Sequence, residues 1–523
     1  MRKGMLAVLL RFSMTAPRSL GSWILSLSAA ASLAAHAADL PLTEVTDYES
    51  LQKLAAQLAQ QPYEAPSQQL DPFFEGLKYD GHRKIRFREE KSVYSDLGDT
   101  YKVQFFHPGW MFKKPVVFYN VDGVTTTPIA FDQGLFDYDD LKLPENLKKP
   151  EGYAGFRVLA PHAFMGKRFE FMVFMGASYY RAVTTELGYG ISARGVAVNT
   201  IGGKPEEFPD FTHFWFKQPK AGEKYFTVLA LLNGPSITGA YQFDASPGKT
   251  TDMIVKATLF LRKPVEMLGI APFSSMFWFG ENSHPKPYDF RPEVHDSDGL
   301  QIEIENGPSI WRPLDVSRDL RLSVFDVDKL KGFGLGERDR DFANFQDLEA
   351  MYHRRPSVWV EPIKGFSKGS VVLVELSTGE ETWDNIVAMW RPSELPKSPT
   401  EPISFEYRLA WQDEQLPGLL CKVISTRRGF VMKADDHEYV IDFTKGGLNL
   451  KKPQDWVPDV DVVVNGDPAK VLDKRVMFNR ETGGWRAFFK LDVPDSTNLL
   501  ELMCEMKDGD RIISERWMYQ WRR

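Results

Sequence analysis

Tyr101-Lys102-Val103-Gln104-Phe105 and Pro115-Val116-Val117-Phe118-Tyr119-Asn120-Val121 decide the fold. The first alternates apolar and polar residues, the period of a half-buried strand, and the second is rich in β-branched and aromatic side chains. The same character recurs over 168–175, 225–232, 251–261, 301–305 and 370–376, with turns such as Asn306-Gly307-Pro308 between them. No strand–helix alternation appears, which sets aside a parallel α/β sheet. Many short strands predict large antiparallel sheets and a mainly β fold. One helix is predicted near the start. Thr46-Asp47-Tyr48-Glu49 reads as a capping box, Leu51, Leu54, Ala55 and Leu58 share one face, and Pro62 stops it.

Working outward, 523 residues suggest two or three domains. The proline-rich stretch 391–399 marks a boundary, after which a strand at 403–409 returns to the first domain. Residues 38–412 are therefore expected to form an N-terminal β-sandwich and 413–420 a linker. Residues 421–523 read as a small Ig-like sandwich, with strands near 439–443, 460–464, 485–493, 499–506 and 514–521. Cys421 and Cys504 both fall in it, either as one disulfide or as two buried thiols.

Residues 1–37 carry Arg2, Lys3, Arg11 and Arg18, no acid, a short apolar core and the ending Ala35-His36-Ala37. That is the pattern of a secretory signal cleaved after Ala37, with Met14 an alternative start. The competing reading, a retained anchor, needs about 20 apolar residues, more than this core supplies. No paired arginines precede the core, so a twin-arginine route is not supported. The net charge of −7 gives no electrostatic case for nucleic acid.

Several mechanisms drop out on spacing. Gly332-Phe333-Gly334-Leu335-Gly336 lacks the dinucleotide spacing, and no GxSxG, HExxH or EF-hand loop occurs. No Cys/His spacing suggests zinc, so neither cofactor nor metal is expected. What remains is a cluster of carboxylates, arginines and aromatics within 291–299, 311–314, 338–342, 352–362 and 380–385. Glycoside hydrolysis needs one carboxyl to protonate the leaving oxygen and a second to activate water or attack. Aromatic faces and charged side chains suit sugar rings and their hydroxyls. The cluster holds these ingredients, although surface turns of β proteins are rich in the same residues.

Longer motifs go further. They are Gly155-Phe156-Arg157-Val158, Gly176-Ala177-Ser178-Tyr179-Tyr180-Arg181 and Tyr189-Gly190-Ile191-Ser192-Ala193-Arg194-Gly195. Then follow Glu207-Phe208-Pro209-Asp210-Phe211, Ile237-Thr238-Gly239-Ala240-Tyr241 and Gly269-Ile270-Ala271-Pro272-Phe273-Ser274-Ser275-Met276-Phe277. With them the chain resembles the periplasmic glucans biosynthesis protein G/D family over nearly its whole length after the signal. The G-type branch fits better, because D-type members usually carry a twin-arginine signal. The resemblance implies a galactose-mutarotase-like N-terminal β-sandwich joined to an Ig-like one, and a role in making osmoregulated periplasmic glucans. Some members resemble inverting endo-β-1,2-glucanases. In those, the Asp of Thr382-Trp383-Asp384-Asn385-Ile386-Val387 matches the general acid, Asp384. The Asp of His295-Asp296-Ser297 matches a base, Asp296, acting through water and a sugar hydroxyl.

Tyr352 and Arg355 match cleft positions, and His295, Trp359 and Glu361 lie in the same motifs as expected cleft residues. Each admits a plain structural reading: Asp384 or Asp296 as a turn residue, Tyr352 or Trp359 in the core, Arg355 in a buried ion pair, and His295 as a structural imidazole. An acid at Asp384 needs a raised pKa, from burial or from acids such as Glu380 and Glu381. Trp383 could narrow or line the cleft. The implied partners are β-glucan chains and an inner-membrane glucan glucosyltransferase. The small C-terminal module leaves a partner contact or a homodimer open. A non-catalytic glucan-binding or export protein is the competing function, and an epimerase rests on fold analogy alone.

Overall fold

The computed structural model describes residues 41–523 apart from 67–68, 162–167, 284–288, 317–318, 397, 399–400, 414–419, 431–435 and 449–455. The expected signal, 1–37, and most of the expected linker, 413–420, lie outside the described residues. The fold is mainly β. Among the described residues, a ten-stranded and a fifteen-stranded sheet enclose one large apolar core. Val103, Phe105, Phe156 and Phe174 face it from the first sheet, and Phe214, Phe243, Leu259 and Tyr407 from the second. Much of the aromatic content is consumed here. Phe174 stacks on Phe156 at 5.0 Å and on Tyr180 at 4.9 Å, contacts worth about 0.5–1.5 kcal/mol each beyond area burial. The strand Thr251–Leu261 pairs along its length with Ile403–Gln412, so the chain does return across the proline-rich stretch.

The helix forms at Tyr48–Ala59 and lays Leu51, Leu54, Ala55 and Leu58 on Trp215, Leu229, Leu231 and Phe260, on the outer face of the larger sheet. Its capping box is one residue later than Thr46/Glu49. Asp47 accepts from the Ser50 backbone N–H at 2.8 Å, and Ser50 Oγ accepts from the Asp47 N–H at 3.1 Å. A carboxylate is the better partner for the positive end of the helix dipole. Among the described residues, no helix is long and apolar enough to cross a membrane.

The C-terminal residues enclose a second core around Tyr439, Trp485, Phe489, Trp517 and Tyr519. A four-stranded sheet covers one side. Two of its strands, Val423–Phe430 and Lys470–Asn479, escape the sequence reading because Ser425 to Arg428 and Asp473 to Arg475 interrupt any apolar alternation. The other side is no separate sheet. Arg516–Arg522 pairs in parallel with Ser309–Pro313, matching Ile310 with Arg516 and Trp311 with Trp517, and so extends the fifteen-stranded sheet. Cys421 and Cys504 are free, buried thiols in this core. At the junction, the Arg338 guanidinium donates to Glu515 at 2.8 and 2.9 Å, to the Val423 carbonyl at 2.6 Å and to Gln301 at 2.9 Å. It also lies 3.5 Å over the Trp311 ring.

The glycine run 332–336 has a packing explanation. Phe333 and Leu335 face the core, while Gly332 and Gly334 leave room on the outer face for Trp359. A Cβ at Gly334 would sit 2.1 Å from the Val358 carbonyl oxygen and 2.9 Å from Trp359 Cε3. Gly334→Ala is therefore expected to cost about 3 kcal/mol, the upper range for overpacking. Urea unfolding checks this, and an unchanged midpoint would contradict it.

Candidate active site

A cleft of about 550 Å³ opens between the segments that carry the sequence cluster, with Met276, Asp296, Tyr352, Arg355, Glu381 and Thr382 in its wall. Asp296 directly follows the two-residue strand Val294–His295, and its N–H donates to the Met276 carbonyl at 2.8 Å. Tyr352 opens the 3-10 turn Tyr352–Arg354, entered through Met351 at φ +49°. Arg355 leaves that turn extended, as the following Pro356 requires. Its Nε lies 3.4 Å from Asp296 Oδ1, and its guanidinium is 5.1 Å from the Tyr352 ring centre. Its Nη1 donates to the Tyr189 carbonyl. Neither Arg355 Nε nor Asp296 Oδ1 makes a hydrogen bond, although both are buried. Tyr352 donates to Glu381 at 3.1 Å, and Arg291 grips the same carboxylate while also pairing with Asp289 and Asp347.

Asp384 lies two residues beyond Thr382, just ahead of the strand Ile386–Pro392, and is half-buried. Its turn is fixed by Asn385, whose buried amide accepts from the Phe277 N–H at 2.8 Å and donates to the carbonyls of Phe277 and Leu376. Burial is the main influence on the Asp384 carboxyl and pushes its pKa up. Arg181 opposes that, Asp296 reinforces it, and Arg355 and Arg194 oppose it, leaving the carboxyl at about 7. The acidic neighbour is therefore Asp296, not Glu380 or Glu381. Glu380 is exposed, and Glu381 is paired with Arg291.

The other expected residues lie elsewhere. His295 is fully buried, with Nδ1 2.8 Å from Glu337 and Nε2 3.0 Å from Glu293. Burial disfavours its charge, but the Glu337 carboxylate and hydrogen bonds to both acids outweigh that and raise its pKa well above the ordinary value. It is held between these two acids and directly precedes Asp296 in the chain. Trp359 and Glu361 alternate along Ser357–Lys364 with Val358 and Val360, which face the core. Both therefore project from the outer face, Trp359 over Gly332 and Gly334 and Glu361 beside Arg408. The structure does not bring them together with the cleft residues. Sequence reasoning missed Arg181, Arg194, Asn385 and Phe290 as parts of the site. The two arginines each sit in a quoted family motif, and Phe290 is marked only by being a large aromatic among polar residues.

Fold and site define a β-sandwich protein in which Asp384, its carboxyl at about 7, follows two residues after the cleft-wall residue Thr382 and senses the buried Asp296 in that wall. The chain belongs to the family described as "Periplasmic glucan biosynthesis protein, MdoG", which matches residues 46–521. It is 39% identical to glucans biosynthesis protein G of Pseudomonas paraeruginosa over 482 residues, 89% of this chain and 91% of the relative. It is 40% identical to the glucans biosynthesis protein G of Ralstonia nicotianae over 477 residues, 89% of this chain and 94% of the relative. A probable glucans biosynthesis protein D of Shewanella oneidensis is 37% identical over 518 residues, 96% of this chain and 94% of the relative.

Proposed function

We propose that the protein acts in the periplasm in glucan biosynthesis, binding β-1,2-linked glucan and cleaving it within the chain with inversion. The observation that carries this reading is the Asp384 carboxyl, held at about 7 and sensing Asp296. Such a group is protonated often enough at neutral pH to donate to a leaving glycosidic oxygen, and basic enough to be restored afterwards. Asp296 is the matching base. Its Oδ1 lies 3.4 Å from Arg355 Nε and makes no hydrogen bond, which leaves an acceptor that a water or sugar hydroxyl can satisfy. A relay of that kind relaxes the direct carboxyl-to-water geometry of simpler inverting enzymes. Tyr352, Glu381 and Arg291 form a hydrogen-bonded wall that holds the sugar-facing groups in place.

Incubation of the protein with linear β-1,2-glucan, followed by mass spectrometry, tests the reading. Shorter oligosaccharides, released as the inverted anomer when followed by NMR before mutarotation, support it. Tight binding without any product would favour a carrier that receives chains from the inner-membrane glucosyltransferase. Phe290, 76% exposed at the cleft, supplies a face on which a pyranose ring can stack. Phe290→Ala is expected to weaken glucan binding by up to about tenfold, the scale of an aromatic stacking contact. Calorimetric titration with oligosaccharide measures it, and an unchanged Kd would remove Phe290 from the binding surface.

A further inference from the structure

Glu281, Glu293 and Asp339 belong to three separate segments, yet their carboxylate oxygens come within 4.8 Å of one another. Glu281 and Glu293 line a pocket of about 20 Å³, with Asn282, Asp298 and, from the C-terminal unit, Ser425 and Thr426. That volume takes one water-sized sphere and no sugar ring. A second observation is independent of the acids. Asn282 is 4% exposed, and its Nδ2 is fixed by donation to the Leu314 carbonyl at 2.5 Å. Its Oδ1 is a buried acceptor in the pocket wall with no donor. Asp298 Oδ1 is equally unpartnered, while its Oδ2 accepts the backbone N–H groups of Arg338 and Asp339.

Among the described residues, the neighbouring cations have other partners as well. Arg338 is committed to Glu515, Arg427 pairs with Asp442 and Arg340 with Asp413. His295 offers one charge, to Glu293 and Glu337. Carboxylates crowded beside an orphaned amide oxygen repel one another unless a proton or a cation joins them.

We propose that Glu281, Glu293, Asp339 and Asn282 form a binding site for a divalent cation, and that calcium is the ion it takes. All donors are oxygens, which selects hard cations. Calcium accepts irregular sets of carboxylate and amide ligands at about 2.3–2.6 Å, which places opposite ligands about 5 Å apart. Magnesium keeps several of its own waters, for which this pocket has no space. The ion would reinforce a seam already tied by the Thr426 N–H donating to Glu281 at 2.5 Å. Through Glu293 it would also reach His295, which directly precedes Asp296 in the chain.

The test is calorimetric titration of the purified, EDTA-treated protein with calcium and with magnesium, paired with thermal unfolding. One calcium per chain is expected, with Kd on the order of 10⁻⁴–10⁻³ M or tighter, and a saturable rise in Tm that magnesium does not match. Glu281→Gln and Asp339→Asn are each expected to weaken calcium binding at least about tenfold. Asn282→Ala, which keeps every carboxylate, is expected to weaken it measurably, and loss of ligand-shell partners commonly costs about 10–100-fold. Absence of calcium binding and of any Tm shift overturns the proposal. So does calcium binding that survives unchanged in variants whose circular dichroism matches the wild type, or a preference for magnesium.

Discussion

Replacing Asp384 with asparagine is expected to lower the rate of glucan cleavage by about 10²–10⁴-fold, the span attributed to general acid catalysis, with glucan binding retained. Mass-spectrometric product analysis and calorimetric binding, run side by side, separate the two quantities. Equal cleavage by variant and wild type would exclude Asp384 as the acid. The pH profile gives a second readout. The acid must be protonated, so kcat is expected to fall as pH rises through about 7, approaching tenfold per pH unit above it. The same carboxyl affects stability in a definite direction. Its pKa is raised from 3.8 to about 7 by folding, so between those values the folded chain holds a proton that the unfolded chain releases. Stability contributed by that proton is present below pH 3.8 and is lost as pH rises through about 7. The Asp384→Asn protein carries no such charge. Its Tm at pH 8 is expected to equal or exceed the wild-type value, so loss of activity would not be confused with loss of fold.

The second large effect concerns Arg338. Arg338→Ala removes both hydrogen bonds to Glu515, the bond to Val423 and the cover over Trp311, and it strands a buried carboxylate. Breaking a buried pair from one side costs about 3–5 kcal/mol. Urea unfolding should show that loss. Removing both charges together, as Arg338→Met with Glu515→Leu, should recover a large part of it, because no unpaired ion remains. A double variant as unstable as the single one would show that the packing of Arg338 on Trp311 matters more than its charge.

Much of the scaffold was legible because its signals are local. The face of the helix at Tyr48–Ala59 and the strand Thr251–Leu261 follow from spacing alone. The parallel pairing of Ile310–Trp311 with Arg516–Trp517 was not legible, since nothing near either segment names its partner. At the site, turns place Asp296, Tyr352 and Arg355, which neighbouring motifs carry, in the wall of one cleft. Trp359 and Glu361 are placed on another face, because a strand sends alternate side chains to opposite faces and Val358 and Val360 already claim the core. For His295 a structural imidazole was among the readings, but its partners were not legible. Its two acids are supplied by Glu293, two positions away, and by Glu337, 42 positions away.

The shared sheet also has a meaning in time. The edge offered by Ser309–Pro313 is closed by Arg516–Arg522, and contacts across that seam, such as Tyr519 to Asp315, join residues 204 positions apart. That edge stays open until the partner strand, about 200 residues further along the chain, has been delivered to the folding compartment. Trp311 and its unpaired backbone are then free to recruit any other extended segment, including the same strand of a neighbouring chain. Production of this protein should accordingly be limited by escort of the half-made sheet, and factors that shield nascent strands should raise its yield more than factors that act on the finished fold.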